Sequence, residues 1–152
     1  MSRELEALPE QLVLGDEAAT QAVGARLGRA ARPDDVVALT GPLGAGKSAF
    51  ARAFIRARAG AEIEVPSPTF TLVQTYELAS GVIWHVDLYR LAAPEEALEL
   101  GLEDAFTNAL CLIEWPERLG DMLPLRALTV RLDHAGTGRS LAFHPGTRPW
   151  MW

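Results

Sequence analysis

Residues 41–48 read Gly-Pro-Leu-Gly-Ala-Gly-Lys-Ser, which satisfies the pattern G-x-x-x-x-G-K-[ST] at every fixed position. The flanks give the match its weight. Val36-Val37-Ala38-Leu39-Thr40 is an apolar, β-branched run of strand length that stops at Gly41. Ser48 to Arg58 reads as a helix, with Phe50, Ala53, Phe54 and Ala57 on one face and Arg52 and Arg56 on the other. Strand, glycine loop and helix in that order define a phosphate-binding loop and commit the chain to an α/β fold.

Lys47 is the only lysine, and the other thirteen basic residues are arginine. A compact ammonium at this point can follow the β and γ phosphates of a nucleoside triphosphate as a point charge. Gly41, Gly44 and Gly46 allow torsions and close approach that a Cβ would obstruct, so successive N–H groups can turn inward. The following helix adds its positive N-terminal end. The run Gly41, Gly44, Ala45, Gly46, Lys47, Ser48 and Ala49 is therefore the candidate nucleotide-binding set. The Ser48 hydroxyl is placed for Mg²⁺, which phosphate and water would complete.

A chain of 152 residues is most simply one domain, with a core long enough to bury about two-thirds of its unfolded surface. No stretch approaches the roughly 20 apolar residues of a membrane span, and Met1-Ser2-Arg3-Glu4 opens no signal peptide, so a cytoplasmic setting is expected. Cys111, the only cysteine, lies in an apolar run and reads as a small core residue. His85, His134 and His144 have no metal-ligand spacing. A formal charge of −6 argues against unaided binding of nucleic acid; the densest basic patch, Arg52, Arg56 and Arg58, reads first as a solvated helix face.

Around the loop the pattern predicts a mixed, mostly parallel sheet of about seven strands with flanking helices and antiparallel hairpins. Gln11–Leu14 is a first strand, and Asp16 caps a helix from Glu17 to Ala31 that stops before Pro33. Phe70–Tyr76 and Val82–Asp87 form a hairpin about Ala79-Ser80-Gly81. Pro94 to Leu100 is a short helix ended by Gly101, and Ala109–Glu114 has the unbroken apolarity of a strand covered on both faces. Leu128–Leu132 and Ser140–Phe143 complete the sheet as a second hairpin. The tail Pro149-Trp150-Met151-Trp152 is apolar and reads as docked on the domain, docked on a partner, or mobile.

A phosphate loop needs an acidic partner at the end of a neighbouring strand. Glu114 and Asp87 are the two candidates, one to hold the metal and the other to orient the attacking water. Ser67-Pro68-Thr69-Phe70 places a hydroxyl at the mouth of the first hairpin, where a threonine can report on a γ-phosphate.

Taken in order, the segments 41–48, Ser67-Pro-Thr-Phe-Thr-Leu-Val73, His85-Val-Asp-Leu-Tyr-Arg90 and Leu112-Ile-Glu-Trp-Pro-Glu117 resemble the TsaE family, formerly YjeE. These are bacterial ATPases required for threonylcarbamoyladenosine formation in tRNA. The resemblance runs from about Asp16 to Arg139. It implies ATP and Mg²⁺ at Lys47 and Ser48, a switch-like segment at Thr69, and metal or catalytic roles for Asp87 and Glu114. It also implies that Trp115 lies near the nucleotide, and that Glu17 and the Gly138-Arg139 turn approach its base or ribose. Ser48 stands where threonine is usual and Pro42 where an acidic residue is frequent; neither removes a required group. The family acts with a TsaB–TsaD pair, TsaD transferring the threonylcarbamoyl group to an adenosine beside the anticodon. An acidic ATPase would then meet tRNA only indirectly, through that complex.

A GTPase would need an N-K-x-D motif, which a chain with Lys47 as its only lysine lacks. A small-molecule or nucleotide kinase would need an arginine-bearing lid, and between the first hairpin and Glu114 only Arg90 is available. That kinase, and a module in which ATP orders a binding surface without hydrolysis, are the alternatives to an ATPase.

Overall fold

A computed structural model describes residues 5–152, so the reading of Met1–Glu4 lies outside the described residues. Seven strands form one sheet, β1 (Gln11–Leu14), β2 (Val36–Thr40), β3 (Val73–Leu78), β4 (Gly81–Asp87), β5 (Leu110–Glu114), β6 (Leu128–Ala135) and β7 (Gly138–His144), in the order β1-β7-β6-β2-β5-β4-β3. The centre, β6-β2-β5-β4, is parallel. The outer pairings are antiparallel. This is the mixed α/β sheet expected from the sequence, parallel where helices cover both faces.

Helices α1 (Glu17–Ala30) and α2 (Lys47–Ala59) cover one face, and the short α3 (Glu96–Glu99) and α4 (Leu102–Asn108) belong to the other. The period of two along each strand sorts the side chains. Val37, Leu39, Leu110, Leu112, Val130 and Leu132 pack with Phe50 and Phe54 of α2. Val36, Val86, Cys111 and Ile113 pack with Ala97, Leu102 and Phe106. Full burial of a side chain as large as Phe50 or Phe54 contributes about 1.5–3 kcal/mol.

Asp16 caps α1 by accepting from Ala19 N at 2.8 Å, as its position before the alanine-rich segment predicts. α1 lies so close on α2 that a Cβ at Gly24 would stand 2.6 Å from the Phe50 carbonyl oxygen. This contact draws the start of α1 towards the glycine loop. The buried side of α2 differs in detail from the sequence pattern: Ala51 and Ile55 are buried with Phe50 and Phe54, while Ala53 and Ala57 are half-buried.

Three boundaries also move. Phe70–Leu72 is a turn, closed by Leu72 N donating to Pro68 O at 2.7 Å, so β3 starts at Val73. Gly101 does not merely end a helix; in a left-handed conformation it opens α4, which the sequence pattern missed. Gly138 and Arg139 begin β7 opposite Ala135 and His134 rather than forming the turn. The Trp-rich tail is docked: Trp150 and Trp152 are buried, and Trp152 exchanges backbone hydrogen bonds with Glu6. No helix among the described residues is long and apolar enough to cross a membrane.

Candidate functional site

The carboxyl ends of β2, β4 and β5 open into a cleft of about 520 Å³, within the range of a small-ligand site. Its floor follows from strand register. Asp87 of β4 pairs with Glu114 of β5, and the parallel alignment turns both side chains to the α1–α2 face. The glycine loop closes one side. Gly41 sits at φ 138°, and a Cβ there would collide with the Leu132 carbonyl oxygen, so the loop lies tight on β6 only as glycine.

Lys47 projects from the first turn of α2 and is buried at 6% exposure. Its Nζ donates to the Gly41 carbonyl oxygen at 2.7 Å and lies 3.7 Å from the centre of the Trp115 ring. No carboxylate among the described residues comes within ion-pair distance of it. Burial lowers the ammonium below the ordinary lysine range, and Glu114, then Glu117 and Asp87, pull in the opposite direction more weakly. α2 has no side-chain cap, so its first-turn N–H groups face an anion-binding position beside this unpaired cation.

Both acidic residues are nearly buried and each is held. Asp87 accepts from Thr69 Oγ1 at 3.0 Å through Oδ2 and from Tyr89 N at 2.9 Å through Oδ1. Thr69 is also 2.8 Å from Ser67 Oγ, so the Ser-Pro-Thr segment is tied to the floor through one hydroxyl. Glu114 Oε2 lies 2.8 Å from His85 Nε2. Among the described residues no group of three or more His, Cys, Asp or Glu side chains is gathered tightly enough to hold a metal alone. The oxygen set of Ser48, Asp87 and Glu114 fits Mg²⁺, which keeps phosphate and water ligands.

Most of the residues singled out from the sequence meet here. Gly44, Gly46, Lys47, Ser48 and Ala49 line the cleft from the loop and α2. Thr69, Asp87, Glu114 and Trp115 line it from the β-strand ends and the loops beside them. Glu17 from α1, with Gly138 and Arg139 from β7, closes the far side. Arg139 donates to the Gly44 carbonyl at 3.0 Å, which fixes the second hairpin to the loop. Gly41 and Ala45 do not line the cleft: Gly41 O receives Lys47, and the buried Ala45 donates its N–H to Pro42 O at 3.3 Å.

The sequence pattern did not single out Thr20, Tyr89 or His85. Thr20 lies one turn after Glu17 on α1, lines the cleft, and has a buried hydroxyl without a protein partner. Helical spacing from Glu17 was the available signal. Tyr89 packs its ring 5.0 Å from Trp115. Trp115 itself has φ 59° and ψ 51°, a left-handed conformation that costs a bulky residue about 1–3 kcal/mol. The turn swings the indole back over Lys47.

A parallel-centred α/β sheet with a glycine loop entering a helix and two carboxylates at adjoining strand ends defines the P-loop NTPase class of fold. Comparison with known proteins makes this specific. The family model for "Threonylcarbamoyl adenosine biosynthesis protein TsaE" matches residues 14–141. The chain is 42% identical over 122 residues to the TsaE protein of Rickettsia felis, covering 80% of this chain and 71% of that protein. It is 35% identical over 118 residues to the TsaE protein of Bacillus subtilis, covering 77% and 73% of the two chains. Its structure resembles the crystal structure of Bacillus subtilis YdiB with a TM-score of 0.73 and 26% identity, over 95% of this chain and 89% of that one. The chain belongs to the TsaE family.

Proposed function

We infer that this protein works in tRNA threonylcarbamoyladenosine biosynthesis as an ATPase, binding ATP with Mg²⁺ in the cleft and acting with a TsaB–TsaD pair. The observation that carries the nucleotide reading is Lys47: the chain's only lysine is buried beside an uncapped helix start with no anionic partner among the described residues. A buried cation of this kind is expected to be completed by a bound anion. The membership of the family supplies the biosynthetic role.

Lys47 and the first-turn amides of α2 hold the phosphates, and Ser48 with Asp87 would hold the metal. Mg²⁺ supplies neutralisation of the charge that builds on the phosphate oxygens. Glu114 orients the attacking water, since one of its oxygens is anchored and the other remains available. Asp87 serves the metal side, where Thr69 links it to the Ser67–Thr69 segment. Glu17, Gly138 and Arg139 take the base or ribose end. The direct test is calorimetry of Mg-ATP with wild type and Lys47→Ala: wild type binds and the variant loses most affinity, whereas equal affinity refutes the assignment.

A further inference from the structure

His85 occupies a position that core packing alone would give to an apolar residue. On β4 it follows Ile83 and precedes Asp87 with the period of two, so all three face the α1–α2 layer. Its register partner on β5 is Leu112, two residues before Glu114. The imidazole is 2% exposed, and burial of so polar a ring is unfavourable unless its nitrogens are bonded. Only one is: Nε2 lies 2.8 Å from Glu114 Oε2, and Nδ1 has no partner. Histidine at this point therefore satisfies its polar groups poorly in exchange for a single contact with the carboxylate.

We propose that His85 is a positioning residue for Glu114, locking Oε2 so that Oε1 is presented to the reaction in one orientation. An ionised carboxylate only accepts hydrogen bonds, so the contact requires Nε2 to carry the proton and to donate. This fixes the imidazole tautomer and, reciprocally, the plane of the carboxylate. Glutamate is otherwise a flexible side chain, and a group that aligns water must be held within about 0.5 Å and 10–20°. The backbone of Glu114 is fixed by β5 and by its carbonyl, which accepts from Leu88 N at 3.1 Å. His85 provides the hold on the side chain. The loss of such an orienting partner commonly lowers activity by about 10- to 100-fold.

The inference rests on the ATPase reading, and two measurements separate their failures. In the nucleotide-free protein, nitrogen-15 NMR of the histidine rings, with His85 assigned from its loss in His85→Gln, is expected to show the Nε2-protonated tautomer. Its Nε2 proton should lie downfield and move upfield in Glu114→Gln. A ring protonated at Nδ1 alone overturns the proposal, whatever the activity. In steady-state hydrolysis with the partner pair, His85→Leu should lower kcat by about tenfold or more while KM stays within about twofold. His85→Gln, which can return a donor near the Nε2 position, should recover most of that loss. A normal kcat in His85→Leu overturns the positioning role while wild-type turnover leaves the ATPase reading standing. Should His85→Leu not fold, the ring spectrum and His85→Gln decide. Absence of wild-type turnover refutes the ATPase reading itself.

Discussion

Lys47 and Trp115 form a stacked pair across the mouth of the cleft, the ammonium 3.7 Å from the centre of the indole ring. The left-handed turn at Trp115 and the first turn of α2 bring them together from opposite sides. The ring gives a buried cation partial compensation, which bound phosphate would replace with stronger charge-assisted bonds.

Entry of a triphosphate is therefore expected to draw Lys47 from the indole and change Trp115 emission. Trp84, Trp150 and Trp152 contribute a background, and Trp150 and Trp152 are core residues, so stripping them would perturb the fold. Subtraction is cleaner: Mg-ATP should alter wild-type fluorescence and leave Trp115→Phe unchanged. A persistent change in Trp115→Phe would place the report elsewhere.

Lys47→Met should lose triphosphate binding without loss of stability. The lysine pKa is lower in the folded protein than in the unfolded chain, with burial as the largest cause. The unfolded state thus binds the proton more readily, so the charged form costs stability below the folded pKa and the cost is relieved as pH rises towards the ordinary value of 10.5. At neutral pH the variant should melt no lower than wild type, and its advantage should shrink in alkali. A variant that melts well below wild type at pH 7 would show that the stack with Trp115 outweighs desolvation.

Thr69→Ala removes the hydroxyl that joins Ser67 to Asp87. If this segment senses the γ-phosphate, affinity for the TsaB–TsaD pair should differ between ATP-analogue and ADP states by about 1–3 kcal/mol in wild type. The difference should contract in Thr69→Ala while triphosphate binding persists. Equal partner affinity in both wild-type states would remove the switch role.

Trp152→Ala should destabilise the fold by about 3–5 kcal/mol and leave nucleotide affinity unchanged. Trp152 is 6% exposed, packs edge-on to Phe143 with ring centres 5.4 Å apart, and lies under Arg26. Chemical denaturation together with ATP titration separates the two effects. A change within about 0.5 kcal/mol would mean that the tail is dispensable.

The local patterns were legible in the sequence wherever a short stretch determines its own geometry. The β2–loop–α2 unit announced itself through an apolar strand, fixed glycines and a helical face, and Glu114 through an unbroken run now buried along its whole length. What escaped depended on meetings between distant segments. Thr20 looks like any residue of an alanine-rich helix until the α1–α2 contact brings it beside Gly46. His85 shows in the sequence only as a histidine without metal-ligand spacing, and only the β4–β5 register reveals that it reaches Glu114. Gly101 was read as a stop because glycine ends helices more often than it begins them, yet its left-handed torsion starts α4. The tail gave no signal because its partner, Glu6, lies at the other end of the chain.

Phosphate release from Mg-ATP by wild type, Lys47→Ala and Glu114→Gln, each with and without a TsaB–TsaD pair, bears on the whole proposal at once. Glu114→Gln keeps the size of the side chain and removes its charge, so it should bind ATP as wild type does and release no phosphate even with partners. Lys47→Ala should fail at both steps. Wild type should turn over, faster with the pair present. Release by Glu114→Gln at the wild-type rate would move the water-orienting role to Asp87. No release by wild type with the pair present, or transfer of the phosphate to a small acceptor instead of water, would contradict the assignment of this cleft as an ATPase site.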